Sequence, residues 1–226
     1  MVAAEAGSAA RPWAIRLQGR GLLLVGTASL VGCSYDVVLG SVTSHRLPAL
    51  QCGTWNSLGV HTTGDYFVGH SAARPNDTLS YFVFDLSRVQ GKTITAASLT
   101  IPGTTDWRIT VPEPPPTTLL AFKLGASPMP ASLTLVRVTG GGTDPAVYQD
   151  VRAEQDLGFG WFASGSTSNT YDAFHYDNQR LQRAANAGAM YPLFAVDRFA
   201  NTASTEEYLY GGGACGPNIV LTVETE

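Results

Sequence analysis

The chain has 226 residues, 44% of them hydrophobic and only 14% charged, with 24 glycines. This length suits one sizeable core, and the hydrophobic share excludes global disorder. A charged fraction well below the usual ~25% points to a secreted strand-and-turn protein rather than a helical cytosolic enzyme, and a formal net charge of −4 offers no footprint for phosphate backbones, which argues against nucleic acid as a partner.

Arg11, Arg16 and Arg20 lead into an apolar run from Gly21 to Val31. The run has the length of a signal-peptide core and falls short of the roughly 20 residues that a membrane-spanning helix needs. Residues 1–32 therefore read as a signal peptide. The run ends in Leu30, Val31, Gly32 and Cys33, which resembles the lipobox of bacterial lipoproteins. In that motif a small residue precedes a cysteine that is lipidated and becomes the new N-terminus. The resemblance implies lipidation at Cys33, a mature chain that starts there and a membrane partner through the lipid anchor. The mixed composition up to Gln51, with Leu47, Pro48 and Ala49 interrupting any period, reads as a tether over residues 33–51 that enters a β-domain over 52–226. Ser34 beside the lipidated position favours the outer membrane or cell surface. The alternative is an ordinary signal peptide or a lone thiol.

Loss of residues 1–32 removes three arginines and one glutamate, leaving 11 basic and 17 acidic residues and a net charge of about −6. Spending Cys33 on lipid leaves Cys52 and Cys215, an even pair in an oxidising compartment, 163 positions apart. A disulfide between them would staple the first and last strands; two buried free thiols are the other reading.

Within the domain, Thr54 to Thr62 reads as a first edge strand. A turn at Thr63 and Gly64 leads into a second strand from Tyr66 to Gly69. Arg74, Pro75, Asn76 and Asp77 form a turn, because Pro fixes φ and Asn and Asp bond their own backbone. Tyr81, Phe82, Val83 and Phe84 then form the densest β-composition of the chain, which predicts a central strand buried on both faces. Leu79–Leu86 is expected to pair with Ile94–Ile101 as an antiparallel hairpin. Trp107 to Val111 alternates at period two, and Pro112 to Pro116 make a stiff loop. Thr118 to Leu124 and Leu133 to Val138 read as strands, followed by a turn at Gly140 to Gly142. Asp144 and Pro145 open a short helix running to Arg152. Gly158 to Ala163 and Thr170 to Tyr176 read as strands. A second helix, Asn178 to Ala187, is capped by Asp177, buries Leu181, Ala184 and Ala185 on one face, and stops at Gly188. Leu193–Asp197, Tyr208–Tyr210 and Ile219–Val223 complete the set. The fold class expected is all-β: an antiparallel, jelly-roll-like β-sandwich with one or two short helices in its crossovers.

Thr62, Thr63, Gly64, Tyr66 to Gly69, Tyr81 to Ser87, Ile94 to Ile101 and the later Phe194–Val196 and Glu207–Gly211 stretches resemble a group of bacterial exported proteins with a TTG-x-YFVG and FFVFDLS pattern. The resemblance spans most of residues 60–223. It implies surface anchoring and a β-sandwich akin to carbohydrate-binding modules, and brings no catalytic residues with it.

Chemistry-bearing constellations are few. His45, His61, His70 and His175 lack paired-ligand spacing, and His61 with His70 across the Gly64 turn is the best metal pair, set against two surface histidines. Asp85, Glu206 and Glu207 border strands and are the carboxylates from which a glycoside-cleaving pair could be drawn; turn and edge roles explain them equally. Asp144, Asp150, Asp156, Asp172 and Asp177 could gather in loops around a structural calcium, although their spacing fits caps and turns better. Trp107, Trp161, Tyr171 and Tyr176 lie in or beside strands where half of the side chains face outward. They are the candidate ligand-binding residues, because flat rings stack on sugar faces. The expectation is a non-catalytic binding or adhesion module with glycan as the preferred ligand and no required cofactor. A structural envelope protein that binds other proteins is the second reading, and a glycan-active hydrolase the third.

Overall fold

A computed structural model of the chain describes residues 41–102, 106–110, 121–153, 158–163, 168–172, 178–197, 206–211, 215 and 219–226. In chain order these form β1 (Thr43–Pro48), β2 (Gln51–Asn56), β3 (His61–Thr63), β4 (Tyr66–His70), β5 (Thr78–Asp85), a 3₁₀ turn at Ser87–Val89, β6 (Ile94–Pro102), β7 (Asp106–Thr110) and β8 (Ala121–Pro128). There follow α1 (Leu135–Thr139), α2 (Pro145–Ala153), β9 (Gly158–Ala163), β10 (Ser168–Asp172), α3 (Asn178–Asn186), β11 (Met190–Asp197), β12 (Glu206–Gly211) and β13 (Val220–Thr225).

The fold is an antiparallel β-sandwich. A four-stranded sheet runs β1-β13-β6-β10, and a nine-stranded sheet runs β7-β12-β4-β5-β11-β8-β9 with β2 and β3 added beside β5. Strand β5 is the centre that its composition predicts: from Leu79 to Phe84 no residue exceeds 4% exposure. Because a strand alternates its side chains between faces, β5 feeds two separate cores. Phe82 and Phe84 point into the space between the sheets with Val68, Leu99, Leu193, Leu209 and Leu221, where Leu181 and Ala185 of α3 also pack. Leu79, Tyr81 and Val83 point the other way, onto Trp55, Phe194, Val138 of α1 and Val147 and Val151 of α2. The molecule therefore has a third layer, two short helices covering the outer face of the larger sheet.

The predicted disulfide is present. Cys52 on β2 is bonded to Cys215 with Cα atoms 5.3 Å apart, tying the larger sheet to the segment that precedes β13. Strands β4 and β5 share one ladder pair, Gly69 with Thr78, among the described residues. Beyond it the Ser80 hydroxyl accepts from Phe67 N at 2.9 Å and donates to Phe67 O at 3.0 Å. A side chain replaces the ladder where the strands part.

Four sequence expectations are corrected. The β5–β6 hairpin does not form, because β2 and β4 on one hand and β11 on the other already occupy β5, whereas β6 sits in the opposite sheet between β13 and β10. Leu86 and Val89 are fully buried in the link and carry the chain across the inter-sheet core. The presumed first edge strand, Thr54 to Thr62, is a hairpin of two strands, and β2 lies between β3 and β5. The expected strand Leu133–Val138 instead leads into a helix from Leu135 to Thr139: the Thr134 side chain accepts from Arg137 N, the Thr139 hydroxyl bonds Leu135 O at 2.9 Å, and burial of Leu133 and Val138 holds the short turn of helix in place. Lastly, part of the stretch assigned to a tether is a strand, since β1 pairs with β13 from Thr43 to Pro48. The signal peptide, Cys33, the Pro112–Pro116 loop, His175, Tyr176 and the Asp177 cap lie outside the described residues.

Helix α2 begins where expected, with Asp144 Oδ1 accepting from Ala146 N at 3.1 Å. Gly188 ends α3 with φ +58°.

Candidate functional site

The β2–β3 turn is built by its own sequence. Asn56 Oδ1 accepts from Leu58 N at 3.0 Å and Val60 N at 2.9 Å, and Gly59 takes φ +79° between them, a conformation that suits glycine. Opposite lies the 71–76 loop. Ser71 and Arg74 exchange both backbone hydrogen bonds, at 2.8 and 3.0 Å, and Ala72 N donates to Glu206 Oε1 at 3.1 Å. Ser57 N reaches Asp77 O at 2.7 Å and joins the two loops.

Between them is an open groove of about 280 Å³ lined by Thr54, Asn56, Thr62, Arg74, Asn76 and Thr78, with Val60, Ala73 and Pro75 as its apolar patches. Its polar wall is connected. The Thr54 and Thr62 hydroxyls bond one another, Thr62 Oγ1 donates to Asp65 Oδ1 at 3.4 Å, and Arg74 Nη2 donates to Asp65 Oδ2 at 3.0 Å. The guanidinium of Arg74 also lies 4.8 Å from the Phe67 ring centre and 5.5 Å from that of Tyr210. Phe67 in turn stacks on Tyr208 at 5.2 Å. A partly exposed cation over aromatic faces contributes about 0.5–1 kcal/mol, so Arg74 is held in position by one carboxylate and two rings.

On the opposite face of β2 and β3, under the helices, His61 sits between Trp55 and Tyr81, with ring centres 4.7 and 5.6 Å away. Its Nε2 shares a hydrogen bond of 2.9 Å with the Tyr81 hydroxyl, and Trp55 Nε1 donates to Val138 O at 3.0 Å. Gly141 passes so close that a Cβ there would stand 3.3 Å from His61 Nδ1. Burial lowers the pKa of His61 and raises that of Tyr81, the latter opposed by the bond from Gln51.

The sequence-selected residues are distributed differently. Trp107 on β7 pairs with Leu209, and Trp161 on β9 pairs with Lys123, at opposite edges of the larger sheet. Six strand spacings separate those edges along the sheet. Tyr171 belongs to β10 in the other sheet, paired with Leu99. The backbone therefore does not gather the two tryptophans at one place. His61 and His70 have different neighbours, since His70 Nδ1 lies 3.3 Å from Asp77. His45 Nε2 meets the Thr225 hydroxyl at 3.1 Å. Among the described residues no three His, Cys, Asp or Glu side chains converge as metal ligands. Of the loop aspartates, Asp144 caps α2 and accepts from Arg137 at 2.7 Å, Asp150 is in α2 and Asp172 in β10, with Asp156 and Asp177 outside the described residues.

Asp85 accepts from Ser87 N at 2.8 Å, and the main chain and side chain of Ser87 hold its carboxyl below the usual range. It stands at the far end of β5 from Thr78, roughly 23 Å of strand at 3.3 Å per residue. The loop that Glu206 binds joins β5 at Thr78. Glu207 pairs with His70 and Ile109. Asp85 is thus remote from the two glutamates, whereas a glycoside-cleaving pair stands about 5–9.5 Å apart.

Sequence reasoning missed Phe67, Arg74, Tyr208 and Tyr210 as a group. A signal was present in the period-two order Tyr208-Leu209-Tyr210, which puts both tyrosines on the face opposite the buried Leu209. No protein-family model matches the sequence, and no curated protein matches it.

Proposed function

We propose that this chain is a non-catalytic binding module held outside the cytoplasmic membrane by lipid on Cys33, and that the groove between the β2–β3 hairpin and the 71–76 loop takes a glycan. The observation that carries this reading is the groove's lining. Hydroxyl, amide and guanidinium groups of Thr54, Asn56, Thr62, Asn76 and Arg74 alternate with the small apolar faces of Val60 and Pro75. A sugar presents the same mixture of hydroxyls and C–H faces, and a few fixed polar groups on a preformed wall are what orient a ligand. Arg74 is neutralised by Asp65, so the groove does not demand an anion. The disulfide supports an oxidising, extracytoplasmic address.

A glycan array probed with the protein and with Arg74→Ala and Asn76→Ala tests this. Saturable binding of a glycan is expected, weakened about tenfold or more in Arg74→Ala, since a hydrogen bond to a charged group is worth about 1.5–3 kcal/mol, and several-fold in Asn76→Ala, whose neutral amide bond is worth about 0.5–1.5 kcal/mol. An array without saturable binding, or variants that bind like the parent, overturns the reading. For the address, Cys33→Ser is expected to release the protein from the membrane fraction.

A further inference from the structure

A second groove, of about 270 Å³, lies on another part of the surface, between α3, the turn after β8 and the first residues of β11. Its floor is apolar, formed by the buried Leu133, Tyr191 and Pro192, with the Met129 thioether at its wall. Met190 stands 45% exposed at its mouth, although the next six residues of β11 are all buried. Flexible thioethers adapt to the shape of an apolar guest.

The rim is cationic. Arg180 and Arg183 lie three positions apart on α3 and so share a face of the helix. Arg180 Nη1 reaches Met129 O at 3.5 Å and links the helix to the turn. Arg183 is exposed and its side chain has no hydrogen-bond or ionic partner among the described residues. The acid nearest in register to the mouth, Asp85 opposite Met190, is occupied by the Ser87 amide. An apolar floor beneath an uncommitted guanidinium is complementary to a molecule with a short hydrocarbon body and one planar anionic head, which the guanidinium fork receives in bidentate fashion.

We propose that this groove binds a small amphiphilic carboxylate, with its hydrocarbon body over Leu133 and Pro192 and its carboxylate on Arg183. The site is independent of the glycan groove. Titration of octanoate and of octan-1-ol into ¹⁵N-labelled full-length protein tests it. Octanoate is expected to saturate amide shifts at Ala131, Leu133 and Met190, with octan-1-ol at least tenfold weaker. In Arg183→Gln the octanoate affinity should fall to that of the alcohol, without a change in melting temperature because Arg183 is exposed. Shifts that do not saturate, that map elsewhere, that are equal for acid and alcohol, or that persist unchanged in Arg183→Gln overturn the proposal. As a second handle, Met190→Asp puts a negative charge at the mouth and should abolish octanoate binding; octanoate bound as tightly by that variant would also overturn it.

Discussion

On the face of β5 that looks across the sandwich, Phe82 and Phe84 meet leucines, valines and isoleucines of the opposing sheet, and the Cys52–Cys215 bond closes the layer. On the other face, Leu79, Tyr81 and Val83 meet two helices of 5 and 9 residues. Helices so short are not stable alone, and here polar fasteners hold them to the sheet. Trp55 Nε1 bonds Val138 O, Asp144 N bonds Gly59 O at 2.8 Å, and Val60 bridges Thr143. His61 N, which donates to Gly142 O at 3.3 Å, completes that set, and the His61–Tyr81 bond joins two strands beneath the helices. One face is closed by area and a covalent staple, the other by area and directed bonds, so the two should fail in different ways.

The largest contrast comes from two buried phenylalanines on adjacent strands. Phe82→Ala and Phe194→Ala should each cost about 3–5 kcal/mol by the usual large-to-small penalty. Phe82 lies between the sheets and Phe194 under the helices. Hydrogen exchange should therefore show Phe82→Ala loosening β6 and β13, and Phe194→Ala loosening α1 and α2 first; identical exchange maps would mean that the two faces are one cooperative unit. Cys215→Ser should lower stability by roughly 2–5 kcal/mol in urea, since it frees a 163-residue loop in the unfolded chain. Ser80→Ala comes next, at about 1–3 kcal/mol, because it leaves the main-chain N–H and C=O of Phe67 without their buried partner. Thermal melts at one pH rank all four.

What could be read from the sequence followed the same division. Strand β5 was legible because four consecutive aromatic and β-branched residues can only be buried on both faces, and α2 and α3 because Asp144-Pro145 and the Leu181/Ala185 spacing are local signals. The cysteine pair followed from setting Cys33 aside, which left Cys52 and Cys215 of the three. The β5–β6 pairing was not legible, since the link's Leu86 and Val89 show their role only once a second sheet exists to receive them. Helix α1 was hidden for a similar reason: Leu135-Val136-Arg137-Val138-Thr139 is β-branched, and burial of Val138 against Trp55 overrides that propensity. The candidate groove was harder still. Thr54 and Thr62 come from a hairpin read as one strand, and Arg74 from a loop read only as a turn, so no local pattern joined them before β2 and β3 were paired.

The smallest expected effect isolates the polar fastening of the outer face through pH. Burial between Trp55 and Tyr81 lowers the pKa of His61 below its usual value of 6.5. The unfolded chain therefore takes up a proton at a pH where the folded protein still refuses it, and stability is complete above about pH 6.5 and declines as the pH falls toward the folded pKa. His45 acts in the same direction, its pKa lowered by desolvation and then by Lys92, from β1 in the smaller sheet. Urea midpoints at pH 7.5 and 5.5 should consequently differ less in His61→Gln than in the parent, while part of the slope remains through His45. Glutamine keeps a donor for the Tyr81 hydroxyl and removes the titration, so the variant separates the proton from the hydrogen bond. A slope unchanged by His61→Gln but abolished by His45→Gln would move the acid sensitivity to the smaller sheet, and the proposed difference between the two faces would lose its electrostatic part.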